Sequence, residues 1–509
     1  KGGQFQPARV VNLNRILHLF LVIVFYLNFG VKAQGISNNW ILGYYGGGGN
    51  IIMNFTHDSL ILDTSIWKMN FLDLSSSISN SHGIIQFYTN GGWIANANTD
   101  TMLNGSNLAP GPYSSQWSHD GFRIPQGAII IPFPGDSSKF YLFHETVTFD
   151  SSGFVVVPLQ LLQTNIDMTL DNGLGAVTVK NNIILSDSLF LGGLTACKHA
   201  NGRDWWLVTN RTHSNLFYKF LITSQGIQLP DTQSIGSYLN EGGPGQSCFS
   251  PDGKKYARYM PDDDLNIYDF DRCSGILSNP IHIPINDGAY SGGIAFSANS
   301  KFIYVSSFNY VYQFDAANPT TSKDTIAIFD GFSDPNPPFL TYFYQAQLAP
   351  NGKIYISAAN GVHYMHIINH PDSTGSACDL VQHGLFVIAN NAFTVPNYPN
   401  YFLGADSGSV CDTLQLSIKQ SSSLAPFKLS CFPNPAEEDL NLSFEPRSKV
   451  RVIEIFDIYG QLILKQNISP WSQMCRIDVS KLKSGVYLCK LSEGSNSKSV
   501  KFIKTNISD

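Results

Sequence analysis

Charge is scarce in this 509-residue chain: Lys, Arg, Asp and Glu make up only 14% of it, against roughly 25% in an average soluble protein. Glutamate is scarcer still. Of 38 acidic residues, 31 are Asp and 7 are Glu. Glu suits helix interiors and Asp suits turns and caps, so the balance argues against a helical protein. The eight Cys include no CxxC pair and no Cys/His spacing of a zinc site,. They read as isolated buried thiols, with Cys475 and Cys489, on two predicted strands, the one pair placed to bridge. A basic stripe is also missing. Residues 34–427 carry 16 basic and 29 acidic side chains, a balance of −13, which argues against binding a phosphate backbone. Nucleophile elbow, P-loop and HExxH motifs are absent,.

Long apolar runs are lacking too, with one exception at the start. Residues 19–27 (LFLVIVFYL) are uninterrupted, Arg9 and Arg15 precede them, and Val31-Lys32-Ala33 follows. A basic region, a short apolar run and a small-x-Ala site make a secretory signal, residues 1–33, cut between Ala33 and Gln34. The run falls short of the roughly 20 residues that span a bilayer. The expected mature chain is exported and has no transmembrane anchor.

What the sequence does hold is apolar and turn-rich: 43% hydrophobic, 13% aromatic, with 43 Gly and 26 Pro. That composition indicates an all-β, loop-rich protein. Its turns repeat. Ser250-Pro251-Asp252-Gly253, Ser297-Ala298-Asn299-Ser300 and Ala349-Pro350-Asn351-Gly352 each lead into a strand, a short turn and a second strand, 47 and 52 residues apart. Weaker copies begin at Ser81, Gly135 and Asn201. Units of this length set around an axis make a β-propeller over residues 34–405. Seven blades are expected, closed by pairing 36–56 with 384–404; six or eight also fit the irregular early units.

The stretches FYTNGGWIANANTDTMLNGSNL (87–108), DMTLDNGLGAVTVKN (167–181), KHANGRDWWLV (198–208), QLAPNGKIYIS (347–357) and VPNYPNYFLG (395–404) resemble a family of exported bacterial propeller proteins of WD-repeat or lactonase-like architecture. The resemblance implies a fold and a secretion route, and no settled activity. Residues 406–427 form a Ser-rich linker,. The tail, 428–509, carries +3 and reads as a small antiparallel β-sandwich,. It is similar to the type A C-terminal sorting domain of the type IX secretion system of Gram-negative bacteria. Phe432-Pro433-Asn434-Pro435, Asp439, Leu440, Asp457, Tyr459-Gly460, Gly485, Tyr487 and Lys501 carry that likeness. Phe432 stands where the family usually has Tyr. The likeness implies that the secretion machinery and its sortase-like protease are partners, and that the protein is secreted or held at the cell surface.

Candidate chemistry is thin. His363, His366 and His370 crowd eight residues, but neighbouring strand positions face opposite ways and no third ligand is evident. His144-Glu145 and His199 with Asp204 could act as acid–base pairs, although both follow blade turns where polar residues cap loops. Asp262, Asp263 and Asp264 offer calcium ligands without EF-hand spacing and read as a solvated turn. Six Asp-Ser/Thr motifs, at Asp58, Asp100, Asp187, Asp324, Asp372 and Asp412, resemble the O-glycosylation pattern of this secretion family. No catalytic or cofactor residue is expected. The expected function is a binding module for a protein partner or glycan; the alternative is a lactonase-like hydrolase with a metal in the channel.

Overall fold

The computed structural model describes residues 35–44, 49–56, 59–65, 68–149, 156–239, 244–412, 429–444, 449–493 and 496–505. They form two compact units that divide between Leu414 and Gln415. The expected signal segment, with Ala33 and Gln34, lies outside the described residues.

The first unit is a β-propeller. Its turns explain the repeat. At Asn80, His199, Ser250, Ser297 and Ala349 the backbone N–H of the residue three further on donates back to the carbonyl, and that residue, Gly83, Gly202, Gly253, Ser300 or Gly352, has φ between +61° and +77°. Such a turn suits glycine; four of the five join the first and second strands of a sheet, and the one at Asn80 joins Leu72–Ser79 to Ile85–Thr89,. Ser250 Oγ and Ser297 Oγ brace two of the turns by accepting from the N–H of Lys255 and Phe302. Ala349 has no hydroxyl to do so.

Each turn closes an antiparallel meander in chain order. Ala128–Pro132 leads one four-stranded sheet, Thr195–Lys198 a five-stranded sheet, and Gln246–Phe249 and Gly292–Phe296 one four-stranded sheet each. Asn39–Leu42, Asn50–Thr56 and Ser59–Ser65 make a three-stranded sheet. Phe343–Leu348 opens a seven-stranded sheet in which the long strand Leu380–Pro396 pairs in parallel with Leu72–Ser79, fusing two meanders. Ring closure therefore differs from the expected ladder. The C-terminal strand pairs with Leu72–Ser79 rather than with Asn39–Leu42, and the N-terminal sheet joins it through Tyr44 N–H to Asn390 O (2.9 Å) and Tyr398 OH to Asn39 O (2.8 Å).

Leading strands line a central channel, and the segment after Pro396 seals the end where those strands finish. Asn397, the segment's first residue, is buried where two of those strands begin, and its Nδ2 donates to Ala128 O at 3.1 Å, Leu194 O at 3.0 Å and Gln126 O at 3.4 Å. Tyr401 OH donates to Ile130 O (2.7 Å) and Asn400 Nδ2 to Pro251 O (2.8 Å). Two glutamines staple the ring from inside. Gln246 donates to Ala346 O and accepts from Ile294 N–H and Ala346 N–H, while Gln126 exchanges hydrogen bonds with the Ser247 backbone. A void of about 160 Å³ remains beneath this seal.

The reading of the cysteines needs correction. Cys273 and Cys411 form a disulfide, whereas Cys475 and Cys489 are both free. The half-cystines lie 138 residues apart in sequence, so only the fold brings them together. Cys273 sits in a hairpin turn, and Arg272 beside it donates to Lys198 O and Gly404 O, so the sealing segment is held covalently and by hydrogen bonds. Closing so long a loop constrains the unfolded chain, which predicts that Cys411→Ser lowers stability by about 2–4 kcal/mol. Urea midpoints of the oxidised protein and the variant measure this; coincident curves would show that the bond adds nothing.

The second unit stacks a three-stranded sheet, Leu429–Phe432, Asp439–Phe444 and Met474–Asp478, on a four-stranded one, Leu462–Ile468, Arg451–Phe456, Gly485–Glu493 and Asn496–Lys504. Leu440, Leu442, Ile453, Ile455, Cys489, Leu491 and Phe502 fill the space between them.

Candidate functional site

The channel's other end, where the leading strands begin, is open. A cavity of about 520 Å³ lies there, within the usual range of small-molecule sites,. Its walls are largely aromatic: Tyr113, Trp117, Phe149, Tyr290, Phe308, Tyr344 and Phe393. The one α-helix among the described residues, Pro112–Trp117, supplies two of them. Pro112 sets its first turn, and Tyr113 packs edge-on to Phe122 while accepting a hydrogen bond from Arg123 N–H (3.0 Å),. The Arg123 guanidinium stands over the Trp117 ring at 5.5 Å, a cation–π contact at the rim.

One carboxyl group lines this cavity. Asp73 sits at the start of Leu72–Ser79, and its Oδ1 is shielded from water without a hydrogen-bond partner. Burial pushes its pKa up to about 7, opposed by the charge of Arg123 and a hydrogen bond from Tyr344. Its backbone is strained as well. Asp73 has φ +54°, Phe308 +46° and Phe393 +68°. Three bulky or acidic residues in the left-handed region around one opening is a costly arrangement, of order 1–3 kcal/mol each, and such strain clusters at functional sites.

That shift carries a stability consequence. In the unfolded chain Asp73 titrates near 3.8, so between about pH 4 and 7 only the folded chain keeps the proton. Folding is favoured at the acid end of that window, and the advantage fades as pH rises towards 7. Asp73→Asn should therefore flatten the decline in urea midpoint between pH 5 and pH 8. Equal declines in variant and wild type would refute the buried-acid assignment.

The residues singled out in the sequence lie elsewhere. His144 and Glu145 are buried on opposite faces of one strand; His144 bonds Thr164 Oγ1 (2.9 Å), and burial pulls its pKa to about 3 and pushes that of Glu145 to about 8,. His199 bonds Cys273 O and Asn201 N–H, while the Asp204 side chain pairs with Arg203. His363 pairs with Asp334 (3.0 Å), His366 is buried and accepts from His383 N–H, and His370 lies exposed in a turn. Asp264 holds His282 and Ile285 N–H, and Asp263 N–H closes the turn onto Met260 O. Among the described residues no group of three or more His, Cys, Asp or Glu could hold a metal ion. In the Asp-Ser/Thr motifs Ser59, Thr101 and Thr325 are exposed, Ser188 and Ser373 are half-buried, and Asp58 and Thr413 lie outside the described residues.

The tail residues fall at several places on the sandwich. Leu429–Phe432 is an edge strand, and Pro433 and Pro435 follow it, where a missing N–H costs no ladder bond,. Asn434 locks this corner, donating to Lys501 O and accepting from Ile503 N–H. Asp439 pairs with Arg476, and Leu440 is buried in the core. Asp457 Oδ1 accepts from Tyr459 N–H and Gln461 N–H, both at 2.9 Å, around Gly460 at φ +78°. Gly485 opens a strand opposite Lys504, where an added Cβ would make only ordinary contacts. Tyr487 stacks on Phe502 and donates to Lys483 O.

Residues 430–505 match the secretion system C-terminal sorting domain. No curated protein matches the chain. Solved structures similar to it include a functionally unknown protein from Desulfotomaculum acetoxidans (15% identity, 71% of this chain and 100% of that one, TM-score 0.37). Others are the β-propeller domain of Cps50 from Myceliophteria thermophila (10%, 64% and 93%, TM-score 0.36) and a gluconolactonase from Xanthomonas campestris (10%, 62% and 94%, TM-score 0.30).

Proposed function

We propose that this propeller protein, carrying its type IX sorting tail, is displayed on or released from the surface of a Gram-negative cell and binds a glycan at the strand-start mouth of its channel. The observation that carries the reading is a cavity walled by aromatic rings around one acceptor, Asp73 Oδ1, that has no partner. A pyranose has an apolar C–H face and a rim of hydroxyls. Trp117, half-buried, and Tyr290, 79% exposed, offer ring faces to the former,. Asp73 can accept from the latter, and Arg123 can donate.

Hydrolysis is favoured less. Glycosidases generally use two carboxyl groups flanking the bond, and metal-dependent lactonases several ligands in the channel. Here Asp73 is the one carboxyl among the cavity's described residues. The amides of Gln126, Gln246 and Asn397 do converge on the axis, yet they bond the ring's own backbone.

A glycan array followed by titration calorimetry tests the reading. Trp117→Ala and Asp73→Asn should each weaken saccharide binding by about 10-fold or more, a loss of roughly 1.4 kcal/mol or above, with unchanged circular dichroism. Absence of any saccharide ligand would overturn the proposal, and release of product from a bound sugar or lactone would replace it with the hydrolase reading.

A further inference from the structure

Away from the mouth, a guanidinium is buried with no counter-ion among the described residues. Arg258 lies on Lys255–Met260 and is 1% exposed. Its Nη2 donates to Ser237 O at 3.3 Å, but Nε and Nη1 have no acceptor, and no ion pair involves it among the described residues. The aromatic rings of Phe217 and Tyr268 lie 5.7 and 5.9 Å from its Cζ. Ring contacts of this kind offset only part of the cost of dehydrating an unpaired ion.

The groups that share this seam between two neighbouring sheets can all donate. Tyr268 OH and Ser247 Oγ, both on residues at most 1% exposed, have no partner. Ser247 sits directly opposite Arg258 in the ladder. Asn210 spends its Oδ1 on Tyr256 OH (3.0 Å) and leaves Nδ2 unpartnered in a fully buried side chain. On the other flank Asn266, the cross-strand partner of Arg258, turns its Nδ2 onto Asp263 O. Positive charge with several idle N–H and O–H groups is the inverse of a cation site.

We propose that Arg258 binds a small monovalent anion of halide type, chloride in ordinary solution, with Tyr268, Ser247 and Asn210 as further donors. One negative charge would neutralise the guanidinium and satisfy Nε and Nη1 together. The ion would then stabilise the folded chain by mass action.

The test uses the full chain in sodium chloride and in sodium gluconate at matched ionic strength. Tm should rise by about 2–5 °C on replacing gluconate with chloride, and crystals soaked in bromide should show an anomalous peak beside Arg258 Nε and Nη1. Arg258→Met should abolish both responses. Should that variant not fold, Tyr268→Phe keeps the arginine and should weaken the chloride response. A Tm indifferent to chloride, or bromide crystals without the peak, would overturn the proposal and leave water as the filler of the seam.

Discussion

Removing residues 428–509 should leave the propeller in the periplasm, with essentially none at the cell surface or in the medium. The tail has its own core between two sheets, so it can be deleted, or grafted to a foreign periplasmic protein, without cutting through the first unit's hydrophobic clusters. Fractionation and immunoblotting in a host with the type IX system measure the effect, and the graft should carry its passenger outside. Point variants separate folding from recognition. Gly460→Val forces a β-branched residue to φ +78° and should unfold the turn,. Asp457→Asn keeps the side-chain oxygen that caps Tyr459 and Gln461 N–H and should leave the tail folded. A truncated body that still reached the surface at normal levels would show that the tail is not the address.

The second large effect is expected at the channel seal. Asn397→Leu removes an amide that serves Gln126, Ala128 and Leu194 carbonyls at once, and it leaves those buried acceptors without that donor. Buried groups stranded in this way cost about 1–3 kcal/mol each, with sharing and relaxation reducing the sum. A loss of about 3–5 kcal/mol is expected, in a single transition, because the seal ties together leading strands from separate sheets. Tryptophan fluorescence in urea reports it, with Leu229→Ala, at a side chain 92% exposed, as the neutral control. A wild-type midpoint for Asn397→Leu would mean that the ring closes without this residue.

The sequence exposed the propeller because its signals are local. A Ser-Pro-Asp-Gly turn states its geometry within four residues, and the same backbone hydrogen bond recurs at Asn80, His199, Ser250, Ser297 and Ala349. The sorting motif is legible for the same reason: Asp457 and Gly460 complete their turn within five positions. The mouth is illegible in that way, since its walls come from positions as distant as Asp73 and Phe393. A weak signal did exist. Asp73 is the lone charge in the strand LDLSSSIS, and residues 97–127 depart from the strand-turn pattern and hold the helix with Trp117. The disulfide gave no such hint, because Cys273 and Cys411 meet only through the path of the sealing segment. VPNYPNYFLG was recognisable as a pattern, but that it plugs a channel follows only from the strands around it.

The bond between Cys273 and Cys411 also has a mechanical meaning. Traction applied from the C-terminal side, as when a tail is drawn through a membrane pore or clipped by a protease, travels up the chain and meets position 411 before it meets 397. From there the covalent bridge diverts the force into the hairpin carrying Cys273. Asn397, Asn400 and Tyr401 stay outside the load path, so the pull does not act on the hydrogen bonds of the seal. The oxidising compartment in which such a bond forms comes before the outer membrane on the export route, so the strap is in place when tension arrives.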